Sequence, residues 1–465
     1  MANQELNIST RDVIIEEVTL IGSNGRSEDI NTGTVFDVIR IYEDIFQHVI
    51  TGSIQITDGV GLFTRLSLHG NEFIKIKFRV PGEGLGNPDV RFDKVFRIYK
   101  CSDKRPLENT QMQRYELFFC SEELIFANQI TLSRKLREGG ARDHVLSICR
   151  KDLKINRKKL YPSHFEVAMG TSDLILTQYK PFEAIEYICS RAYNENESTF
   201  LFFENRDGFN FTSIEKMVKR EAIINYVYPT AKMTYNPSNA AHTNYNQISK
   251  FTYPKVFNTL ETTASTAHNG RLLTLDLITQ SYKKYDYSHL SAGSRKMLMD
   301  TAAPNSPASK LSFPYNNAQN RNGKAIYEEY GTEVNYCLTN KGNGNLDYFR
   351  NKTVRSIDTS VERTLLQRKA QLNFLTNSQL ECIVPGNPLL TVGRMVEFYL
   401  PAFMPQDANN RRIDNYLSGK YLVTRVCHVI AGQTLQTKLT LSKNCLNDNL
   451  DNFVDNQNYK DARDF

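Results

Sequence analysis

Near the carboxy-terminal end, residues 393–401 (GRMVEFYLP) are followed by a polar loop, by residues 418–430 (SGKYLVTRVCHVI), by a short break at Ala431, Gly432 and Gln433, and by residues 435–443 (LQTKLTLSK). The last two pieces alternate. Tyr421 and Val423 share one side, Val426 and His428 continue it after a slip, and Thr437, Leu439 and Leu441 repeat the pattern on the return. A period of two in β-branched and aromatic residues makes strands, and Ala-Gly between them makes a hairpin. The slip at Arg425, Val426 and Cys427 reads as a β-bulge. This stretch organises the rest of the chain as an antiparallel sheet.

A similar pattern stands early in the chain. Residues 70–78 (GNEFIKIKF) precede a loop rich in Gly and Pro, and then come 93–101 (DKVFRIYKC) and 113–120 (QRYELFFC). Phe96 lies 26 positions after Gly70, and Tyr421 lies 28 after Gly393. Two copies of one antiparallel β-unit in one chain imply an internal duplication.

A chain of 465 residues exceeds one ordinary core, so roughly two to four domains are expected. A content of 40% hydrophobic and 23% charged residues is that of a folded chain. No run of 18 apolar residues occurs, so no helical membrane span is expected. The opening residues MANQE have neither a basic region nor an apolar run, so no signal peptide is expected. The eight cysteines, at 101, 120, 149, 189, 337, 382, 427 and 445, lack any Cys-x-x-Cys spacing. They are expected to be buried, reduced thiols of a protein made in a cytoplasm. A net charge of +6 is mild for a nucleic-acid-binding chain. One stretch, 134–159, carries ten Lys and Arg against three acids, and is expected to be a solvated face or to meet an acidic protein partner.

Taken in order, residues 11–60 read as strands, with a short helix or turn at 61–68. With 71–79, 93–101 and 113–120 they give enough strands to close a small first barrel within 1–127. Residues 128–245 form an α/β module. Around its start, 122–136 and 143–151 fit helices. Residues 179–193 fit a stronger helix, with Pro181 in its first turn and Phe182, Ile185, Ile188 and Cys189 on one stripe. Residues 199–212 form a hairpin around Arg206, Asp207 and Gly208. A second barrel is expected from 246–290 together with 356–446, interrupted by an insertion at 291–355 whose first part is rich in Ser, Asn, Pro, Ala and Gly. Residues 361–374 fit a helix with Leu365, Leu366, Ala370 and Leu372 on its stripe, and 447–465 form a polar, acidic tail. The expected fold class is therefore α+β, mainly β: two tandem antiparallel β-barrels with an inserted α/β module and a further insertion in the second barrel.

The sequence offers no catalytic constellation. Residues 82–87 (GEGLGN) lack the last glycine of a dinucleotide loop and lie between two strands. At 322–325 (NGKA) the upstream glycine of a phosphate loop is missing, and Ala325 stands where a hydroxyl would hold magnesium. Neither His-Glu-x-x-His nor Gly-x-Ser-x-Gly occurs. The histidines do not cluster, and His144, His164 and His428 read as surface or satisfied core residues. Paired carboxylates of a glycosidase meet only in space, and nothing singles out a pair. A structural or binding role is favoured over an enzyme, with no cofactor and no metal expected.

Four stretches, by their order and spacing, resemble the central baseplate hub protein of contractile-tailed bacteriophages of the T-even type. They are 50–58 (ITGSIQITD) with 62–63 (LF) and 70–74 (GNEFI); 200–211 (FLFFENRDGFNF); 259–261 (TLE) with 270–276 (GRLLTLD); and 383–387 (IVPGN) through Gly393 to 418–423 (SGKYLV). The hub half of type VI secretion spike proteins is similar. The resemblance spans most of the chain and contains no short catalytic motif. It implies two tandem barrels carrying extra domains, a homotrimer without enzyme activity, and a place in the virion's tail baseplate after assembly in the host cytoplasm. The implied partners are a tail-tube or tube-initiator protein above and a trimeric spike below, with tape-measure and baseplate wedge proteins as further neighbours. DNA would meet the chain only in transit through a channel. The chain departs from the family in residues 291–324 and in its polar tail.

A trimer of such chains would present six similar units, adapting a sixfold tube to a threefold spike. Unpaired strand edges invite pairing between neighbours, so the expected interface edges are those bounded by Glu72 and Phe78 and by Arg394 and Leu400. Lys75, Lys77, Arg394 and Glu397 are the expected channel-lining side chains. The alternatives are a tail-tip enzyme, a cell-wall glycosidase or peptidase, and a nucleic-acid-binding module built on 134–159.

Overall fold

The computed structural model describes residues 13–31, 35–80, 91–108, 111–136, 139–169, 174–194, 197–228, 246–258, 260–261, 269–276, 280–288, 311–312, 334–339, 361–400, 417–444 and 446–447. Seven strands come first: β1 (Ile14–Ile21), β2 (Ser27–Asp29), β3 (Phe36–Asp44), β4 (Thr51–Asp58), β5 (Phe73–Arg79), β6 (Arg91–Pro106) and β7 (Gln113–Cys120), with the one-turn helix α1 (Leu62–Arg65) between β4 and β5. They pair antiparallel in the spatial order β3-β4-β7-β6-β5-β1-β2. Alternation puts Ile39, Ile54, Ile74, Ile76, Phe96 and Phe119 inside one core.

A mixed module follows, with α2 (Glu122–Gln129), β8 (Leu132–Leu136), α3 (Ala141–Ser147), β9 (Leu174–Tyr179), α4 (Pro181–Arg191), β10 (Phe200–Asn205), β11 (Gly208–Ser213) and α5 (Ile214–Val218). The α4 stripe of Phe182, Ile185, Ile188 and Cys189 is buried as the periodicity requires, and Pro181 opens the helix. The expectation of helix through 136 is corrected. Ile130 is already extended, and Leu132–Leu136 pairs with β9, because cross-strand pairing outweighs local helix propensity.

The remaining strands are β12 (Ala222–Val227), β13 (Lys250–Lys255), β14 (Asn269–Asp276), β15 (Ser281–Ser288), β16 (Leu311–Ser312), β17 (Val334–Thr339), β18 (Ser378–Pro385), β19 (Met395–Tyr399), β20 (Gly419–Ala431), β21 (Thr434–Lys443) and β22 (Leu446–Asn447). A second antiparallel run has the order β13-β18-β21-β20-β19, with β12 added parallel to β19. Strands β14, β15 and β17 make a sheet of their own, against which α6 (Val361–Asn377) places Leu365 and Leu366. Residues 269–288 therefore do not join the second run as expected, and β12 flanks it instead. The Ser- and Asn-rich stretch at 291–324 lies outside the described residues apart from 311–312, and so does the tail beyond 447.

The two runs repeat one topology. Each takes its strands in the chain order first, second, fifth, fourth, third: β3-β4-β7-β6-β5 and β13-β18-β21-β20-β19. The glycines that precede the third strand of each, Gly70 (φ 101°) and Gly393 (φ 77°), both adopt the left-handed backbone that favours glycine. The fourth strand bulges at matching points, after Ile98 in β6 and after Val423 in β20. The duplication read from a spacing is thus present in strand order, turn and bulge.

Strand β3 pairs with β20 from Val38 to Asp44, so the two units share one large, mainly antiparallel sheet. Neither unit closes as an unbroken strand ladder among the described residues. Isolated backbone bonds lie near the open ends. Val13 N–H donates to Gln433 O (2.9 Å) in the β20–β21 turn, whose flanking Ile430 and Leu435 enter the first core. In the second unit Val227 N–H donates to Asn246 O (2.9 Å), and Ile248 N–H returns to Val227 O (3.1 Å) just before β13. No helix among the described residues is long and apolar enough to cross a membrane.

Candidate functional site

Where β3 meets β20 the shared sheet forms a groove of about 700 Å³. Its floor follows from register. One row runs Lys250–Ile383–Lys438–Cys427–Tyr42, and the next runs Thr252–Glu381–Thr440–Arg425–Asp44. Alternation along β3 turns Ile39, Ile41 and Glu43 inward and leaves Arg40 and Tyr42 toward the groove. Arg425 Nε donates to Asp44 Oδ2 (2.8 Å), and Arg40 Nη1 reaches Glu116 Oε1 (3.4 Å). Burial raises the Cys427 thiol and the Tyr42 phenol above their ordinary values, so neither is a ready nucleophile near neutral pH. The groove can bind a polar partner through paired and unpaired charges. Among the described residues it assembles no nucleophile and base.

Behind this floor lies a buried polar seam between the two units. Glu43 accepts from Thr391 Oγ1 (2.5 Å) and from the Val392 backbone N–H (3.3 Å), while its second oxygen has no hydrogen-bond partner. Burial pushes its carboxyl up to about 7, with the Thr391 and Val392 bonds opposing. His428, fully enclosed and 3.1 Å from Thr437 Oγ1, is held down to about 4 by burial and is therefore neutral.

A second network fixes the α/β module to the first unit. Glu204, at the end of the aromatic run of β10, accepts from Ser121 Oγ (2.5 Å), from the Ile50 N–H (3.2 Å) and from Lys94 Nζ (3.1 Å). Lys159 Nζ lies 2.7 Å from Glu123 and 3.7 Å from Glu204. Burial opposes ionisation of Glu204, yet Lys94 and Lys159 hold its carboxyl below the ordinary value. Glu123 goes the other way, raised by burial and by the Glu204 charge. Sequence reasoning missed Glu204, although a lone acid inside a Phe-rich strand is the signal of a buried, paired carboxylate.

In the module itself, Glu166 and Glu197 share Ser213 Oγ, at 3.2 Å from each. Burial and the bond to Glu197 push Glu166 up to about 7. Burial opposes ionisation of Glu197 too, but its bonds to Glu166 and Lys219 hold it low. The split is that of two carboxyls sharing one proton, and the charged groups around them are Lys216, Lys219 and Arg220. Among the described residues no cluster of three or more His, Cys, Asp and Glu could hold a metal ion.

The residues expected at interface edges are placed differently from the expectation. Strand β5 lies between β1 and β6, and β19 lies between β12 and β20, so neither is an edge. Glu72 is buried and accepts from the backbone N–H groups of His69, Gly70 and Asn71 (2.6, 2.8 and 3.0 Å). Phe78 stacks on Phe92 in the first core (5.0 Å), and Leu400 is buried in the second. The edge premise failed because the flanking strands β1 and β12 come from distant sequence. The polar candidates remain partly exposed. Lys75 pairs with Glu17 (2.6 Å), Lys77 with Glu16 (3.2 Å) and Arg394 with Asp207 (3.3 Å), while Glu397 lies half-buried on β19. Of the cysteines, 120, 149, 189 and 382 are buried as expected, but Cys101 is exposed, Cys337 and Cys427 are half-buried, and Cys445 lies outside the described residues.

No protein-family model and no curated protein matches the chain. Among solved structures, it is similar to the tail protein from Neisseria meningitidis MC58, at 8% identity and a TM-score of 0.49, over 92% of this chain and 96% of that one. It is similar to the 43 kDa tail protein of prophage MuSo2 from Shewanella oneidensis, at 8% identity and a TM-score of 0.48, over 92% and 98%. A third likeness is to an E. coli protein described as a component of the type VI secretion system with structural similarity to T4 bacteriophage tail proteins, at 8% identity and a TM-score of 0.39, over 93% and 76%. At these values the likenesses are of chain path and carry no argument about function; they fall among the same kinds of protein, phage tail and type VI secretion components, as the sequence resemblance.

Proposed function

We propose that this chain is a structural hub of a contractile tail, a homotrimer that joins a sixfold tube to a threefold spike. The observation that carries the reading is the repeated strand order, with the two units set side by side by the β3–β20 ladder. Three chains with two equivalent units each give six units around an axis, so the symmetry mismatch is resolved inside the chain. Closed cyclic assembly is the common solution for identical subunits. In this reading the upper face meets a tail-tube or tube-initiator protein and the lower face a trimeric spike, with tape-measure and wedge proteins nearby and DNA passing through the channel. The first unit takes its strands from 14–120 and the second from 222–227, 250–255 and 378–443, and the α/β module adds Leu201, Phe203 and Met217 to the second core. The channel wall is the solvent-facing charge of these strands, including Lys75, Lys77, Arg394 and Glu397. The chain acts by assembly in the virion tail and performs no catalytic step.

The test is native mass measurement of the purified chain, alone and mixed with tail-tube protein. The expected species are a trimer of this chain and a complex with three of its copies to six of the tube protein. A monomer or dimer under both conditions, or a reconstruction with the two units at unequal radii from the axis, would remove the reading.

A further inference from the structure

Seven of the ten cations of residues 134–159 fall into two sets. Arg134 and Lys159 are engaged within the fold, Arg134 on Asp152 (2.5 Å) and Lys159 on Glu123 (2.7 Å). Arg150, Lys151, Lys154, Arg157 and Lys158 are all exposed, and among the described residues no carboxylate forms an ion pair with any of them. Asp152, the acid in their midst, is already held by Arg134. Elsewhere many surface cations are matched: Arg65 by Glu28, Lys75 by Glu17, Lys77 by Glu16 and Lys219 by Glu197.

The outward set stands on a fixed ledge. Leu153, Ile155 and Leu160 are buried beneath it, Ile155 N–H donates to Cys149 O (2.9 Å), and Asn156 Oδ1 accepts from Lys158 N–H (3.0 Å). A π-helical turn at Ile148–Asp152 leads into it, and Lys154 follows with φ 51°, a left-handed conformation uncommon for a residue other than glycine. Backbone strain is thus kept at the centre of a cluster of like charges that form no ion pair among the described residues, a pairing typical of functional positions.

We propose that this ledge docks an acidic polypeptide segment of a partner protein. Charge complementarity selects the anion, and the surroundings select a polypeptide over nucleic acid. No aromatic side chain interleaves the five cations, whereas single-strand binders stack bases on aromatic rings. Tyr161, the neighbouring exposed aromatic, packs on His164 with ring centroids 5.3 Å apart. A net charge of +6 over the whole chain supplies no broader positive field for a phosphate backbone.

The test uses the full chain and fluorescence anisotropy with a labelled oligo-aspartate peptide and a labelled DNA duplex, at about 50 and about 200 mM salt. Two variants are compared, one with Arg150, Lys151, Lys154, Arg157 and Lys158 all changed to Ser, the other Lys154→Gly alone. The peptide is expected to bind at the lower salt and to weaken roughly tenfold or more in the five-site variant and about threefold in Lys154→Gly. The urea midpoint of Lys154→Gly should rise, since glycine accepts the left-handed backbone without strain. Stability and binding then move in opposite directions, which a merely structural lysine would not produce. Absence of peptide binding, binding unchanged in the five-site variant, a lowered midpoint in Lys154→Gly, or tighter binding of the duplex through the same residues would each overturn the proposal.

Discussion

Glu43 and His428 titrate in opposite senses within one buried seam. Glu43 has a folded value of about 7 against an ordinary 4.5, so its support for the fold is complete below the ordinary value and is lost as pH rises through about 7. His428, at about 4 against 6.5, supports the fold above its ordinary value and loses that support as pH falls through about 4. Each group alone spans about 3 kcal/mol, from about 1.4 kcal/mol per pH unit of displacement. The two windows overlap between about pH 4.5 and 6.5, where the loss from Glu43 and the gain from His428 cancel, so this pair should leave urea titrations nearly flat there and account for a fall of only about 1 kcal/mol or less on either side. Glu43→Gln should uncover a rise of about 3 kcal/mol from about pH 4 to 6.5, and His428→Gln a fall of about 3 kcal/mol from about pH 4.5 to 7, to which Glu166 adds. Gly393 makes a stricter demand. A Cβ there would lie 2.9 Å from Phe203, on a backbone at φ 77°, so Gly393→Ala should cost about 1–3 kcal/mol in the same titration. Its position at the head of a strand unit was legible in the sequence. The role of Glu204 was not, because Lys94, the cation that balances it, lies 110 positions away.

Elements with their own periodicity were legible. The α4 stripe, the α6 helix and the β10–β11 hairpin stand where alternation or helical spacing put them, and the bulge in β20 falls between Val423 and Arg425, just ahead of the expected 425–427. What a strand lies beside was not, since β5 and β19 owe their neighbours to segments far along the chain, and β8 is a strand only because β9 pairs with it. The join between the first unit and the module depends on a similar long-range meeting. Glu204→Gln would leave Lys94 and Lys159 short of their shared anion in a largely enclosed site. Equilibrium unfolding should register a loss of about 3–5 kcal/mol, the usual range for breaking a buried ion pair from one side. Adding Lys94→Met should recover part of that loss, because it removes the stranded charge. A double variant no better than the single one would show that Lys94 does not depend on Glu204.

For the whole molecule, the sequence supported two units but not the way they complete one another. The β20–β21 turn contributes Ile430 and Leu435 to the first core although both belong to a second-unit hairpin. Leu435→Ala should cost about 2–5 kcal/mol as a core truncation. Hydrogen exchange should show the loss in the first unit as well, at the Ile54 and Leu117 amides of the β4–β7 ladder. The intact chain should lose both units in one transition; two separate transitions in calorimetry would contradict that coupling. The same hairpin imposes an order on biosynthesis. Asp44 and its partner Arg425 are 381 positions apart, so at elongation rates of about 5–20 residues per second the first-made strands wait on the order of 20–80 s for the last-made ones. Until the hairpin leaves the ribosome, the nascent first unit has an unpaired β3 flank and a gap in its core. A chain whose synthesis stops before the β20–β21 hairpin would keep that flank exposed to chaperones and proteases, so only chains that include the hairpin would offer a finished surface for assembly.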